Sequence, residues 1–462
     1  MDIKEILNDP AGATQIISRL KSKIITVRPW GGADGLAKEY YPSLHPVMDT
    51  SIYPDITKKD GVEHVTRITI ALQQLATKRM TELVTGIPVK RIYKPQNDKQ
   101  KEAAGWIEAV YQRNRIDAVN VERLNMLFAS CEIMTLWYSV GQKNNYYGFN
   151  SDLKFRCRSF SPMLGDILYP LFDEYGDMIA MSIAYVRTVE GKTVNYFDTY
   201  TEDRHIKWST SGNADWQVVE DEKITVLKIP AVYCYRPTPI WENTSKTVYE
   251  LEWTLSRNGN YLRKNSKPLF VVFADEMITY GQEKDEKQES RAVLQFPKGS
   301  QAQYVTWQQA VENLKFYESE LRNLFFTQLQ LPDWSYEKMS QIALSGESRK
   351  QLFIDSQLKV KDESGRLLEF FDREVNVVKA FVKLSAPSGY EADIDALPVE
   401  NVITPFTLED DKDTIDNLVN ATGGKAIMSR REAIQEFGHS TDVDKTMQEI
   451  AQDEQQDVMN YE

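Results

Sequence analysis

The chain has 462 residues, which is enough for two to four domains of ordinary size. Hydrophobic residues make up 42% of the sequence, a share that excludes an intrinsically disordered chain. The net charge of −13 argues against a basic nucleic-acid-binding protein of the usual kind.

The acidic charge is concentrated near the C-terminus. Residues 390–462 contain 18 Asp and Glu but only 5 Lys and Arg, so the other residues together carry no net charge. A protein that holds DNA tightly needs a basic face, whereas a protein that lets DNA slide past it does not. The sequence therefore predicts a charge-balanced body followed by an acidic segment.

The composition favours a protein that is neither in a membrane nor secreted. The longest apolar stretches, such as Leu269–Ala274, are far shorter than the roughly 20 residues of a membrane span. The N-terminus lacks the apolar segment of a secretory signal. Cys131, Cys157 and Cys234 are far apart and have no CxxC spacing, so we interpret them as small buried residues of a protein made in a reducing cytoplasm.

The first third of the chain has mainly helical periodicity. Residues 1–60 are rich in Pro, Gly and Tyr and predict an irregular segment with one short amphipathic helix at about Lys4–Lys21. Apolar residues at helical spacing then predict three helices, at 61–84, Lys99–Asn114 and Asn120–Leu136.

Between Leu136 and Tyr235 the periodicity changes to alternation, which is typical of β-strands. Glycines supply the turns, so this region predicts a meander of antiparallel strands. The strands are predicted at Leu153–Arg158, Ile179–Arg187, Val194–Tyr200, His205–Ser209 and Trp216–Val219.

Two long helices flank a small strand-rich insert in the next part. The first helix covers Asn243–Lys264, with a weak point at Asn258-Gly259-Asn260, and the second covers Val311–Leu329. Both carry more apolar area than one helical hairpin can bury, which favours burial between copies of the chain. The insert has predicted strands at Leu269–Phe273, Ala292–Phe296 and Gln301–Trp307, around a charged loop at Gln282–Arg291.

After a loop at Asp333–Gly346, the sequence predicts a long helix over Arg349–Lys383, with a kink or break at Ser364-Gly365. Residues 387–396 have the composition of a linker, and Val399–Pro405 predicts a strand. The acidic segment predicts short helices at Leu408–Ala421, Ser429–Phe437 and Asp442–Met459, the second with a Ser429–Glu432 capping box.

Motifs that carry enzyme chemistry are nearly absent. Gly423-Gly424-Lys425 lacks the leading glycine and the following Ser or Thr of a phosphate loop, and we interpret it as a helix C-terminal turn. Asp410, Asp411 and Asp413 fit the N-terminal turn of a helix better than a two-metal site. The four histidines have no paired spacing. We therefore expect no catalytic residues, no cofactor and no metal. The histidines are His45, His64, His205 and His439.

The order and spacing of these elements resemble the portal proteins of long-tailed bacteriophages, of the type found in Bacillus phages. The resemblance covers most of the chain. The Leu344–Ser348 stretch departs somewhat from the Ser-Gly-x-Ala pattern of that family. The segments that carry it are Met80-Thr-Glu-Leu-Val-Thr-Gly86-Ile-Pro88-Val, Phe160-Ser-Pro-Met, Asp173-Glu-Tyr-Gly-Asp177, Pro230–Asn243, the helix–loop–helix around Leu344-Ser-Gly-Glu-Ser348, and Val402-Ile-Thr-Pro-Phe406.

The resemblance implies an α+β portal fold that assembles as a ring, typically of twelve copies, at one capsid vertex. It implies a mixed α/β wing, a two-helix stem, a small β-rich clip, a tunnel loop that narrows the channel, and an acidic helical crown. The regions would be the wing at 1–238 and 347–405, the stem helices at 239–266 and 307–329, the clip at 267–306, the tunnel loop at 330–346 and the crown at 406–462.

The resemblance also implies partners. Double-stranded DNA would pass through the channel without sequence specificity, and the clip would dock the large subunit of the terminase motor and later a head–tail adaptor. The major capsid protein and scaffold would surround the ring, which would assemble in the host cytoplasm and remain in the virion, with no membrane contact.

Candidate residues follow from these regions, and each has a plainer interpretation. Stem cations would face DNA phosphates, or else be solvated or in ion pairs between subunits. Tunnel-loop residues would contact the duplex, or else pack on neighbouring helices. Clip residues would dock partners, or else form a solvated hairpin tip. The stem candidates are Lys246, Arg257, Arg263, Lys264, Lys315 and Arg322; the loop candidates are Trp334, Tyr336, Lys338 and Met339; the clip candidates are Glu283, Lys284, Asp285, Glu286, Lys287 and Arg291.

Two other functions stay open from the sequence. The chain could be another structural protein of the virion head or neck. It could also be a metal-dependent enzyme of an unrecognised class that uses the acidic cluster at Asp410–Asp413.

Overall fold

A computed structural model provides the coordinates. The residues it describes are 3–10, 12–22, 33–59, 61–212, 214–265, 269–273, 279–284, 290–295, 301–305, 311–331, 333, 353–406, 411–423, 426–437 and 443–460.

The described part of the chain combines helices and antiparallel sheets, which confirms the predicted mixture of helix and strand. The helices are α1 (Ile3–Leu7), α2 (Ala13–Ser22), α3 (Ala33–Tyr40), α4 (Leu72–Thr85), α5 (Asp98–Arg113), α6 (Ile116–Ser130), α7 (Ser245–Asn265), α8 (Val311–Leu329), α9 (Ile354–Ser385), α10 (Glu391–Ala396), α11 (Asp411–Thr422), α12 (Arg430–Phe437) and α13 (Val443–Asn460). The strands are β1 (Ile56–Lys58), β2 (Gly61–Glu63), β3 (Lys90–Tyr93), β4 (Glu132–Asn144), β5 (Ser151–Phe160), β6 (Ile167–Phe172), β7 (Met178–Val189), β8 (Lys192–Tyr200), β9 (Arg204–Ser211), β10 (Gln217–Lys223), β11 (Ala231–Tyr235), β12 (Leu269–Phe273), β13 (Thr279–Lys284), β14 (Ser290–Gln295), β15 (Gln301–Val305) and β16 (Val399–Val402).

The largest hydrophobic core lies where helices α4, α5, α6 and α9 pack against a three-stranded sheet of order β11-β4-β5. Helix α9 has 32 residues and contributes an apolar stripe at steps of three and four, which is the spacing of one helix face. Its members Leu367, Phe370, Phe371, Val378 and Phe381 are all buried. This helix therefore holds the sheet and the shorter helices together.

A second sheet has five strands in the order β10-β9-β8-β7-β6 and contains four of the five predicted strands of the meander, while the predicted strand Leu153–Arg158 lies in β5 of the three-stranded sheet. Alternate residues point to opposite faces of a strand, so this sheet contributes to two cores. Phe197 and Trp208 face helices α1 and α2 on one side. Met181 and Ile183 face the three-stranded sheet on the other. The meander is thus covered by short helices on one face and partly by a sheet on the other.

A buried ion pair joins α6 to α9 inside the main core. The guanidinium of Arg123 donates to the two carboxylate oxygens of Glu374, at 2.5 and 2.8 Å. The indole N–H of Trp137 donates to the same carboxylate at 3.0 Å, and Arg123 stacks over Phe370. Because both charges are removed from water, each depends on the other for solvation.

Several predicted boundaries are wrong. The helix predicted at 61–84 begins only at Leu72, and the residues before it are strand β2 (Gly61–Glu63) and a segment without regular secondary structure. The helix predicted at Asn120–Leu136 ends at Ser130, because Cys131 adopts a left-handed backbone (φ 65°) and the chain continues as β4. Lys4–Lys21 forms two helices instead of one, and residues 1–60 also contain α3.

Three further corrections concern the second half. Helix α9 runs through Ser364-Gly365 without a break. The predicted linker at 387–396 contains helix α10, whose Ile394 is completely buried. The charged loop at Gln282–Arg291 is shorter than predicted, since its first and last residues belong to the paired strands β13 and β14. Residues 349–352 of the predicted long helix lie outside the described residues.

Glu374→Gln should destabilise the protein by about 3 kcal/mol or more, because it leaves the buried Arg123 without its counter-charge. Guanidinium denaturation at fixed protein concentration measures this loss. The matched control is Glu369→Gln, which removes an exposed ion pair with Arg373 on the same helix and should cost no more than about 0.5 kcal/mol. Equal losses in the two variants would contradict the assignment of a structural role to the buried pair.

Candidate channel stem and subunit interface

Helix α7 is fixed to the rest of the protein by a row of polar side chains on its inner face. Glu252, Ser256 and Asn260 are four residues apart, which places them on the same side of the helix. They accept hydrogen bonds from the backbone N–H groups of Ile70 (2.7 Å), Ile68 (2.9 Å) and Thr66 (2.5 Å), respectively. The segment 66–70 therefore lies antiparallel along the helix.

The spacing of the two partners explains this contact. Two residues of an extended chain advance by about 6.6 Å and four residues of a helix by about 6.0 Å, so donors and acceptors stay matched over three pairs. Gly259 allows the close approach, because a Cβ atom there would lie 3.0 Å from Cγ2 of Thr66. The predicted weak point at Asn258-Gly259-Asn260 is thus a docking point, and the helix passes through it unbroken.

His45 makes a buried contact with the same face of α7. Its Nδ1 lies 2.6 Å from Oε1 of Glu252, and its Nε2 lies 2.9 Å from the backbone carbonyl oxygen of Glu39. Both partners accept hydrogen bonds, so the imidazolium form, which donates from both nitrogens, suits the site. Burial is the largest single effect and lowers the pKa of His45, but the hydrogen bonds and charges of Glu252 and Glu39 together outweigh it and raise the pKa above its usual value.

Helix α8 has a buried base and an exposed upper part. Phe325, Phe326 and Leu329 at its C-terminal end belong to the main core. Phe316 and Leu324 lie on another face and are 68% and 44% exposed. The two long helices touch each other, and the hydroxyl of Tyr317 donates to Glu250 of α7 at 3.2 Å. A single subunit therefore leaves much of the apolar surface of α8 uncovered.

The candidate stem cations fall on defined helix faces. Lys246 and Arg257 are eleven residues apart, so they share the face of α7 opposite to its buried side, and both are exposed. Lys315 and Arg322 share one face of α8, also exposed. Arg257 stacks over Trp253, and Arg322 pairs with Glu318 at 3.3 Å. Two of the α7 cations thus share one face of α7, and the two α8 cations share one face of α8.

The other candidates are placed less fully. Arg263 is exposed near the C-terminal end of α7 and interacts with another group of the protein. Lys264 follows it in the helix. In the clip, Glu283 lies opposite Arg291 and Lys284 opposite Ser290 in the β13–β14 hairpin. The remaining candidates lie outside the described residues; these are Trp334, Tyr336, Lys338, Met339, Asp285, Glu286 and Lys287.

The insert between α7 and α8 also contains a second strand pair, in which β12 and β15 run antiparallel with Leu269 opposite Val305. These strands come directly before and after the β13–β14 hairpin in the chain. The insert between the stem helices is therefore strand-rich, as its sequence predicts.

Sequence reasoning missed the contacts that fix α7. The signal was present, because Glu252, Ser256 and Asn260 are polar residues at i, i+4 and i+8 on a face that is otherwise apolar. His45 gave no comparable signal, since its partner is 207 residues away in the chain.

The family model described as "Phage portal protein, SPP1 Gp6-like" matches residues 36–459. The chain belongs to this family. Phage portal proteins are structural, non-enzymatic proteins of the virion, so the chain has a structural role in the phage particle. The resemblance inferred from the order of sequence elements is thereby confirmed.

Solved structures of gene transfer agent particles also match. A chain from the "Virion of native gene transfer agent (GTA) particle" is 9% identical with a TM-score of 0.39, covering 92% of this chain and 98% of that chain. A chain from the "Neck of empty GTA particle computed with C6 symmetry" is 8% identical with a TM-score of 0.40, covering 79% and 89%. Likenesses this weak carry no argument about function. The curated proteins contain no match.

The described residues contain neither a membrane-spanning helix nor a cluster of metal ligands. Among the described helices, none has both the length and the apolarity needed to cross a lipid bilayer. Within the same residues, no three His, Cys, Asp or Glu side chains are grouped so that they could hold a metal ion. Of the acidic cluster, Asp410 lies outside the described residues, while Asp411 and Asp413 are in the first turn of α11.

The stability of this portal-family chain should depend on pH through His45. Because its pKa is raised in the folded state, its contribution is complete below the ordinary pKa of 6.5 and is lost as the pH rises through the raised value. We expect the thermal unfolding midpoint to fall over that range, and His45→Gln to flatten this part of the profile.

The control for this prediction is His64→Gln, because the His64 side chain is 79% exposed. It should leave the fall in stability above pH 6.5 in place, because that fall depends on the buried His45–Glu252 contact. An identical pH profile for the wild type and His45→Gln would show that the His45–Glu252 contact does not titrate in this range.

Proposed function

We propose that copies of this chain form a closed ring around a channel for double-stranded DNA, at one capsid vertex. DNA would enter through this channel during packaging and leave through it at ejection. The single observation that carries the proposal is the match to the portal family over residues 36–459. The exposed apolar face of α8 supports it, because that face needs a partner.

The ring proposal follows from the two-part surface of α8. Its base is buried within the subunit, so the helix is held in place, while Phe316 and Leu324 remain in contact with water. A second copy standing beside the first would cover them, and full burial of a side chain such as Phe316 contributes about 1.5–3 kcal/mol. In a closed ring every subunit makes this contact, so no copy is left with an open face. We propose twelve copies, as the family resemblance implies.

The channel proposal follows from the shared faces of the stem cations. Lys246 and Arg257 on α7, and Lys315 and Arg322 on α8, are exposed and lie on one face of each helix. Repeated around a ring, even one cation per subunit produces a band of positive charge. The body of the chain is otherwise charge-balanced, which suits a channel that must attract phosphates without holding them.

The remaining regions have proposed roles that follow the same plan. We propose that the clip, at 267–306, docks the large terminase subunit during packaging and a head–tail adaptor afterwards. The major capsid protein and scaffold would surround the wing. The crown, at 406–462, would use its acidic surface to keep packaged DNA away from the channel mouth. The ring would assemble in the host cytoplasm.

Phe316→Glu should prevent closed rings from forming at concentrations where the wild type is fully assembled, because it places a charge in an apolar contact. Native mass spectrometry and negative-stain images report the copy number. Tyr175→Glu is the control, since Tyr175 lies in a turn and is 83% exposed, and rings should persist. A wild-type chain that stays monomeric under all conditions would refute the ring itself.

Deletion of Tyr336–Ser345, within the proposed tunnel loop at 330–346, should leave rings intact but impair packaging or retention of DNA. The expected defect is a lower yield of DNA-filled heads in a packaging assay, with normal rings in negative-stain images. Loss of ring assembly in this variant would instead mean that the segment is part of the structural core, and the loop assignment would then be wrong.

A further inference from the structure

A basic cleft lies in the wing, at the corner between α5 and α6 and beside the β4–β5 hairpin. It has a volume of about 500 Å³. Four cations line it: Arg113, Arg115, Lys154 and Arg156. The other lining residues are uncharged, so the cleft has no carboxylate in its wall. None of these residues was a candidate from the sequence, because they come from two segments about 40 residues apart.

The cations of the cleft differ from several other arginines of the described chain in having no carboxylate partner. Other arginines of the wing are paired, such as Arg91 with Glu108 and Arg204 with Asp221. Within the described residues, none of the four cleft cations forms an ion pair, and three of them are exposed. The charge of the cleft is therefore available to a ligand.

The structure holds this corner in a fixed shape. The side-chain amide of Asn114 donates to the carbonyl oxygens of Val110 at 2.9 Å and Phe155 at 3.2 Å, which ties the end of α5 to β5. Arg115 has a left-handed backbone (φ 50°), a conformation that costs a non-glycine residue about 1 kcal/mol or more. The turn at this residue starts α6 at the cleft, and the positive end of the helix dipole adds to the field of the cations.

One cation of the cleft is also oriented by an aromatic ring. The guanidinium of Arg113 lies over the ring of Tyr146, 3.9 Å from its centroid. Stacking of this kind leaves the N–H edge of a guanidinium free to donate in its plane. Burial raises the pKa of the neighbouring phenol of Tyr147 and is the largest effect on it. The positive charges of Arg156 and Arg113 act in the opposite direction and lower this pKa, so their field reaches Tyr147.

We propose that this cleft binds the phosphate backbone of double-stranded DNA from the side, as a contact separate from the stem. Guanidinium groups match phosphate oxygens in geometry, and several unpaired cations around a polar cleft suit a polyanion. An acidic protein segment is the other polyanion to consider. Protein interfaces are normally built around apolar anchors, whereas here the exposed lining is mostly charged or amide side chains, so DNA fits better.

The proposal rests on the proposed function only for the choice of DNA as the polyanion. In a closed ring the clefts of successive subunits would repeat around the wing. A length of duplex could then bend along several of them, each contact neutralising phosphates without reading sequence.

The test uses closed circular plasmid DNA, which has no end and cannot be threaded through a channel. The variant is Arg115→Gln with Arg156→Gln, both exposed, in the assembled full-length protein. The control is Arg187→Gln with Lys192→Gln, which removes the same charge from exposed positions on strands β7 and β8. Filter binding over a series of salt concentrations gives the affinity and its salt slope for each protein.

We expect the cleft variant to bind the circle roughly tenfold or more weakly at low salt, with a log–log salt slope smaller by about 2 for each cleft that the duplex contacts, because two phosphate contacts are lost in each cleft. The control should match the wild type. Equal binding by all three proteins would overturn the proposal. Unchanged circle binding with loss of polyglutamate binding in the cleft variant would also overturn it, in favour of an acidic protein partner.

Two further measurements separate other causes. Thermal unfolding of the cleft variant should match the wild type, because both substituted side chains are exposed; Lys154→Gln serves as a second variant should that midpoint fall. Ring assembly and packaging of linear DNA test the proposed channel. Wild-type rings that package linear DNA but do not bind plasmid circles would refute the proposed DNA contact in the cleft and would leave the proposed channel unaffected.

Discussion

Partly buried backbone N–H groups need hydrogen-bond partners, and in this protein that requirement fixes helix α7 to the segment 66–70. The segment 66–70 lies along helix α7. The backbone N–H groups of every second residue in it donate hydrogen bonds to the side chains of Glu252, Ser256 and Asn260. Apolar packing alone would let a helix slide, since it has no direction. Three hydrogen bonds in sequence fix the axial position of α7. The buried contact between His45 and Glu252 holds the helix at the same place.

The charges of the molecule are arranged in two ways that the composition does not distinguish. In the core, Arg123 and Glu374 place opposite charges in direct contact, so each group partly replaces the water that the other has lost. In the cleft between α5, α6 and the β4–β5 hairpin, four cations are grouped in a lining that contains no carboxylate. A body with no net charge can therefore still present local positive surfaces to a polyanion.

The stem helices show how one subunit can be well folded and yet incomplete. Phe325 and Phe326 anchor α8 in the main core, whereas Phe316, about two and a half turns earlier, is in water. The proposed ring resolves this difference, because the wing supplies the stability of each copy and the exposed helix faces supply the contact between copies. Folding and assembly then depend on separate surfaces.

Much of the architecture could be predicted from local sequence pattern. Helix α8 has the predicted bounds, Val311–Leu329, and the meander, the strands of the clip and the acidic helices appear close to where periodicity places them. These elements are specified by residues that are near one another in the chain, through helical spacing or alternation. The family could likewise be inferred from the order of the elements, because that order is itself a property of the sequence.

Other features were decided only by the tertiary structure. Residues 64–71 have apolar residues at helical spacing, yet they form no helix, because the backbone N–H groups of Thr66, Ile68 and Ile70 donate to side chains of α7. The partner of His45 is 207 residues away, and the cleft cations come from two separate segments. The spacing of apolar residues along the sequence indicates which face of a segment can be buried. It does not indicate the partners of polar and charged groups, because these depend on which distant segments the fold brings together.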